Sequence, residues 1–144
     1  MHEPHDLHFL LEQLLHATRA SRVTLRRDVP GETAFPVVEE ALAPGVGSLR
    51  DERTVDLPSQ PVVREVQAGR QVVQDDCASA FGDAAFQRML VAYGGLAAQI
   101  VTPVAVDDRL EAILSLHQLG APRHWTDEEI AAATLTAERV GAVL

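Results

Sequence analysis

Lysine is absent from this chain of 144 residues, and all 12 of its basic side chains are arginines. That excludes Schiff-base chemistry and the lysine of a phosphate-binding loop. Cysteine occurs once, at Cys77. One thiol cannot close an internal disulfide, so neither a disulfide framework nor a redox cycle between two cysteines of the chain is available. Positive charge is scarce as well: 21 acidic against 12 basic residues leave a formal charge of −9. A nonspecific nucleic-acid surface needs a basic field and is excluded. Long apolar runs are missing. No stretch approaches the roughly 18 apolar residues of a membrane span, and MHEPHDLHFLLEQLL, at the start, lacks the basic region and apolar run of a signal peptide. These absences predict a cytoplasmic chain with no nucleic-acid and no membrane partner. The 47% hydrophobic content is enough for one globular domain over residues 1–144 with a sizeable core.

What is present alternates between helix and strand periodicity. Residues 5–18 carry Leu7, Leu10, Leu11, Leu14 and Leu15 at helical spacing behind Pro4, with Phe9 off the centre of the stripe. A stripe this wide can face both its own core and a partner helix. SRVTLRRD (21–28) alternates Val23 and Leu25 against Arg and Thr and predicts a strand. PGE (30–32) predicts a turn, and 34–42 a second strand. After a polar, loop-rich stretch (43–59), Pro61 and Gly69 bracket a short helix. RQVVQDD (70–76) predicts a short strand. Residues 79–95 predict a helix with Phe86, Met89, Leu90 and Tyr93 on one face, stopped by Gly94-Gly95.

The hairpin signal is the clearest in the chain: strands over 97–106 and 110–119 flank the turn DDR. The last helix opens on TDEE, where Thr126 and Glu129 form a capping box, and continues through Ile130, Leu135, Val140 and Val143. The expected order is α-β-β-loop-α-β-α-β-β-α, and no period of about 20–50 residues repeats.

The stretch GLAAQIVTPVAVDDRLEAILSLHQLGAPRHWTDEEIAAATLTAERVGAVL resembles the C-terminal half of a GAF domain. It has a strand carrying a proline, a short hairpin turn, a leucine-rich return strand, and a Trp-Thr-x-x-Glu opening of the last helix. Upstream, AGRQVVQDD is similar to the helix-ending glycine and short valine strand of these domains. The resemblance covers residues 5–144, and SLHQLGAPRHW is closest to the bilin-binding GAF domains of phytochromes and cyanobacteriochromes. It implies an α/β (α+β) fold: a central antiparallel sheet flanked by helices, with the N- and C-terminal helices packed together on one face. It also implies a small organic ligand held between sheet and helices.

The chain departs from that subfamily at the attaching cysteine. In the relatives this residue falls in the helix before the glycine pair, near Phe86-Gln87 here, and no cysteine is present there. Cys77 lies too early, and Asp75-Asp76-Cys77-Ala78 matches a second-cysteine Asp-x-Cys-Phe motif only in part. Glu111-Ala112 stand where a glycine is expected, and the Asn-Lys-Phe-Asp-Glu signature of phosphodiesterase GAF domains is missing. The free methionine sulfoxide reductases of the same fold need more than one cysteine.

The resemblance makes Asp75, Asp76, Cys77, Phe86, Tyr93, Gln99, Ser115 and His117 the candidate ligand-binding residues. Asp75 and Asp76 are adjacent on a strand and point to opposite faces, so they are no acid/base couple. One of them is expected to cap the following helix. Their charge should raise the Cys77 pKa, the opposite of activation. On one strand face His117 alternates with Ile113 and Ser115. The expected function is a stand-alone, non-catalytic sensory domain that binds a small molecule and regulates a separate partner. Two alternatives stay open: an enzyme in which Cys77, Asp75 and His117 converge, and noncovalent haem or tetrapyrrole binding through His117. No cofactor is assigned. His2, His5 and His8 could align on a helix but lack a fourth metal ligand. Arg22 and Arg26 share a strand face, expected to be exposed, with Arg27 opposite. His124 and Trp125 are expected to pin the last helix. The wide leucine stripe and a last helix ending in GAVL predict a homodimer through the first and last helices.

Overall fold

Val23 and Leu25, alternating with Arg22, Thr24 and Arg26, form strand β1 (Arg22–Arg27) at the heart of the fold. A computed structural model describes residues 4–28 and 35–144, with the side chains of 4 and 5 set aside. The expected turn at 30–32 and the His2 and His5 side chains lie outside the described residues. Helix α1 (Pro4–Thr18) precedes β1, and β2 (Val37–Leu42) follows it. Then come a 3-10 turn (Leu57–Ser59), α2 (Pro61–Gln67), β3 (Val72–Gln74), α3 (Ala84–Ala92), β4 (Leu96–Val106), β5 (Arg109–Leu119) and α4 (Asp127–Val143).

The five strands form one antiparallel sheet in the order β2-β1-β5-β4-β3. The β4–β5 hairpin turns at Asp107-Asp108, both in the left-handed region (φ 53° and 62°). This two-residue geometry matches the twist of the flanking strands. Beyond α3, Gly94 and Gly95 adopt φ of 85° and 82°, which a side chain would strain, and they turn the chain into β4.

Both faces of the sheet are covered. On one, Val23, Leu25, Ile100, Leu114 and Leu116 pack against Leu11, Leu14 and Leu15 of α1 and Ala133, Ala137 and Val140 of α4. The first and last helices therefore lie together on this face. On the other, Val101 and Ile113 meet Val62, Val63 and Val66 of α2, Met89 and Leu90 of α3, and Leu57. The capping box of α4 forms as expected: Thr126 Oγ1 accepts from the Glu129 amide, and Glu129 accepts from the Thr126 amide.

Three expectations change. Helix α3 begins at Ala84 rather than residue 79, because Cys77–Ser79 is a separate 3-10 turn. Leu135, read as an apolar position of the last helix, is 46% exposed, since α4 buries the stripe through Ala133, Thr136, Ala137 and Val140. Arg22 and Arg26, read as an exposed pair, are only 1% and 7% exposed. Their face looks polar from β1 alone, but α2, α3 and the loop before them cover it.

Candidate functional site

Strand register sets a polar row across that covered face. Arg22 on β1 stands beside His117 on β5, His117 beside Gln99 on β4, and Gln99 beside Gln74 on β3. Arg22 Nε donates to His117 Nδ1 at 3.0 Å, and Gln99 Nε2 donates to Gln74 Oε1 at 2.8 Å. Because arginine has no acceptor, His117 Nδ1 must be unprotonated and its proton sits on Nε2. Burial, then the Arg22 and Arg26 cations, hold the imidazole well below its ordinary 6.5. Arg22 also donates to the carbonyls of Gly47 (3.0 Å) and Tyr93 (2.7 Å). Burial lowers its pKa to about 10, with Glu40 opposing the shift, so it remains charged at neutral pH.

Two residues along, on the same face, Thr24 and Ser115 pair, and beyond them Arg26 donates to Phe35 O (2.9 Å) and to the Tyr93 hydroxyl (3.3 Å). The Tyr93 ring stacks on His117 at 5.9 Å. These side chains wall one side of a cavity of about 40 Å³, and Leu57, Gln60, Val62, Val63 and Met89 wall the other. It has room for one or two water-sized groups. Thr24 Oγ1 and Gln60 Oε1 are buried there without a hydrogen-bond partner among the described residues.

The profile of the GAF domain family matches residues 7–144. The chain belongs to the GAF domain family. No curated protein matches it. Among solved structures it is similar to GAF3 from Slr1393 of Synechocystis sp. PCC6803 in its photoproduct state: 20% identity, 96% of this chain and 91% of that one, TM-score 0.78. It is similar to the PixJ GAF domain of Thermosynechococcus elongatus in its blue-light absorbing form: 24% identity, 96% and 84% coverage, TM-score 0.76. It is also similar to NpR6012g4, a red/green cyanobacteriochrome, in its green-light absorbing state: 17% identity, 96% and 90% coverage, TM-score 0.79. At these identities the likeness is one of fold.

Within this GAF fold, Tyr93, Gln99, Ser115 and His117 line the cavity. Asp75, Asp76, Cys77 and Phe86 lie outside its lining. Asp75 is exposed; its carboxylate takes the Trp125 amide (3.2 Å) and lies 2.8 Å from His124 Nδ1. These contacts hold its pKa below the ordinary carboxylate value, the His124 bond most of all. Asp75 thus anchors the segment before α4 instead of capping the next helix. Asp76 accepts from the Ser79 hydroxyl (3.0 Å). Phe86 is wholly buried, edge-on to Phe81 at 5.1 Å. Cys77, Asp75 and His117 are not brought together.

Cys77 is 0% exposed. Burial and then the Asp76 charge push its thiol up to about 12. At pH 7.5 the native protein should therefore alkylate with iodoacetamide at least about a hundred-fold more slowly than a free thiol. Denatured protein should react at the ordinary rate. Native labelling at the rate of a model thiol would contradict this placement.

The β1 contribution of Thr24 and Arg26, and that of Gln60 and Met89, was not anticipated from the sequence. The signal available was the alternation Arg22-Thr24-Arg26, which reads the same for a solvated face as for a polar wall. Among the described residues no group of three or more His, Cys, Asp or Glu could hold a metal. None of the described helices is long and apolar enough to cross a membrane.

Proposed function

We propose that this GAF domain is a non-catalytic, cytoplasmic regulatory module that binds a small organic molecule in the cavity between the sheet and α2 and α3. The observation that carries the reading is the pair of buried polar atoms, Thr24 Oγ1 and Gln60 Oε1, which have no partner among the described residues and belong to side chains lining one cavity. Buried polar groups are nearly always satisfied, and one left without a partner costs free energy that a ligand can recover. The non-catalytic part is supported by the inert environment of Cys77 and by the separation of Cys77, Asp75 and His117. A screen of small metabolites by thermal shift, followed by calorimetry, tests it. At least one compound should raise Tm and bind with one-to-one stoichiometry, and His117→Phe should remove the effect. A screen that yields no binder sinks the proposal.

The output is proposed to run through a homodimer built on α1 and α4 that acts on a separate partner. Phe9 is 59% and Leu135 46% exposed. Both line one outward groove between the helices, with Glu12 and Arg139 at its sides. A two-fold pairing would cover the apolar residues and set the two opposite charges against each other across the interface. The Phe9→Glu/Leu135→Glu double variant should weaken dimerisation at least about a hundred-fold by sedimentation equilibrium. A wild-type protein that stays monomeric at high micromolar concentration would refute the dimer.

A second reading, noncovalent haem or tetrapyrrole binding, draws on His117 in the cavity wall and on a further structural neighbour, JSC1_58120g3, described with bound biliverdin IXa. The small cavity and the engagement of His117 Nδ1 by Arg22 favour a smaller ligand. Adding haemin or biliverdin decides between them: a shifted absorption band that titrates to saturation supports the tetrapyrrole.

A further inference from the structure

We infer that the ligand of this cavity is a small organic carboxylate that also carries a hydrogen-bond donor, and that it passes a partition formed by Gln60 and Met89. This rests on the cavity being the ligand site. The first ground is uncompensated charge. Arg27, Arg50, Arg70 and Arg123 each pair with a glutamate. Arg26, far more buried, forms no ion pair among the described residues and meets only two neutral acceptors, Phe35 O and the Tyr93 hydroxyl. A guanidinium has five N–H donors, and Arg26 uses two of them in hydrogen bonds among the described residues. A buried, unpaired cation is costly, and a carboxylate is the partner its fork fits best.

The second ground is that, in a mostly apolar lining, the polar groups near Arg26 are donors. His117 presents Nε2–H, since Nδ1 is taken by Arg22. The Tyr93 hydroxyl accepts from Arg26, which leaves its proton to give. Thr24 Oγ1 has no partner among the described residues. Across the cavity the orphan is an acceptor: Gln60 Nε2 reaches Ala85 O at 3.4 Å, while Oε1 has no donor. An anion at the β1–β5 wall and a hydroxyl or N–H toward Gln60 would satisfy both sides.

The third ground is the path. Gln60 and Met89 line both the cavity and an adjoining surface vestibule of about 210 Å³, which Thr54, Asp56, Ala85 and Arg88 also line. Both shared side chains are unbranched and rotatable. A ligand larger than a few atoms would need the two spaces to join by rotation of these side chains. The vestibule carries one charge of each sign, Arg88 and Asp56.

The test is calorimetry and thermal shift with sodium ω-hydroxycarboxylates of two to six carbons, their matched primary amides, and sodium chloride at equal ionic strength. At least one acid should bind about ten-fold or more tightly than its amide, as expected for a charge-assisted pair. Arg26→Gln should erase that preference. Thr24→Val, nearly isosteric and uncharged, should weaken acid binding about five-fold with the fold intact, and it keeps the test open if Arg26→Gln does not fold. Met89→Ala should speed association in stopped-flow mixing. Acids that bind no better than amides, or a preference that survives Arg26→Gln, overturn the carboxylate while leaving the cavity as a ligand site. Failure of acids, amides and the wider metabolite screen alike removes the cavity reading and this inference with it.

Discussion

Trp125→Ala is expected to lower the unfolding free energy by about 3–5 kcal/mol, the range for deleting a fully buried large side chain. The ring is 2% exposed and packs into the core beneath α1 and α4. Its Nε1 donates to Gln74 O at 3.0 Å, and its backbone amide donates to Asp75 at 3.2 Å. The Arg123 guanidinium lies over the ring at 4.3 Å. Arg123 in turn reaches Gln118 (3.0 Å), the Thr18 carbonyl at the end of α1 (2.9 Å), and Glu129 in the first turn of α4. One indole therefore ties the end of β3, the end of α1 and the start of α4. Trp125→Phe keeps most of the packing and orphans Gln74 O, so about 1–2 kcal/mol should be lost. Urea unfolding followed by far-UV circular dichroism measures both. An alanine variant losing under about 1 kcal/mol would mean the site relaxes around the cavity, contrary to this account.

Arg22→Met should cost about 3 kcal/mol, because three neutral acceptors lose a charged donor at once. Methionine refills much of the volume but leaves His117 Nδ1, Gly47 O and Tyr93 O without their donor. Relief of the guanidinium's desolvation offsets part of the loss. The pH dependence of the wild type follows from the same network. His117 is neutral when folded and titrates near 6.5 when unfolded, so below that value the unfolded state binds the extra proton. Its contribution is fully present above pH 6.5 and declines on acidification, by up to about 1.4 kcal/mol per pH unit. His117→Gln should lose less stability than wild type between pH 7.5 and 5, and parallel profiles for the two would show that His117 is not held neutral. Arg22→Met, by removing one of the cations facing His117, should shift the decline toward partial protonation of the folded state.

The limits of reading this chain are visible in single residues. The leucines of α1, the capping box of Thr126 and Glu129, and the hairpin around Asp107-Asp108 are local signals, and each appears where the periodicity or turn chemistry puts it. Ser115 and His117 were legible on one face of β5 because a strand alternates. Arg22 and Arg26 show the same alternation, but a polar strand face reads as exposed unless something covers it. Asp75 looked like a ligand contact or a helix cap, and its true partners, His124 and Trp125, are about fifty residues away in sequence. No local pattern encodes a contact at that separation.

By itself the sequence determined the order of elements, the capped last helix, the antiparallel hairpin, the likeness to GAF domains, and the exclusion of disulfide and lysine chemistry. Those follow from periodicity, capping and composition, which act over a few residues. Only the tertiary structure decided that both faces of the sheet are buried. That burial makes Arg22 and Arg26 interior cations, fixes the tautomer of His117, and orphans Thr24 and Gln60 around one cavity. The physical reason is that a side chain's solvent, charge state and hydrogen-bond partners are set by whatever packs against its strand, and here those are elements from distant parts of the chain.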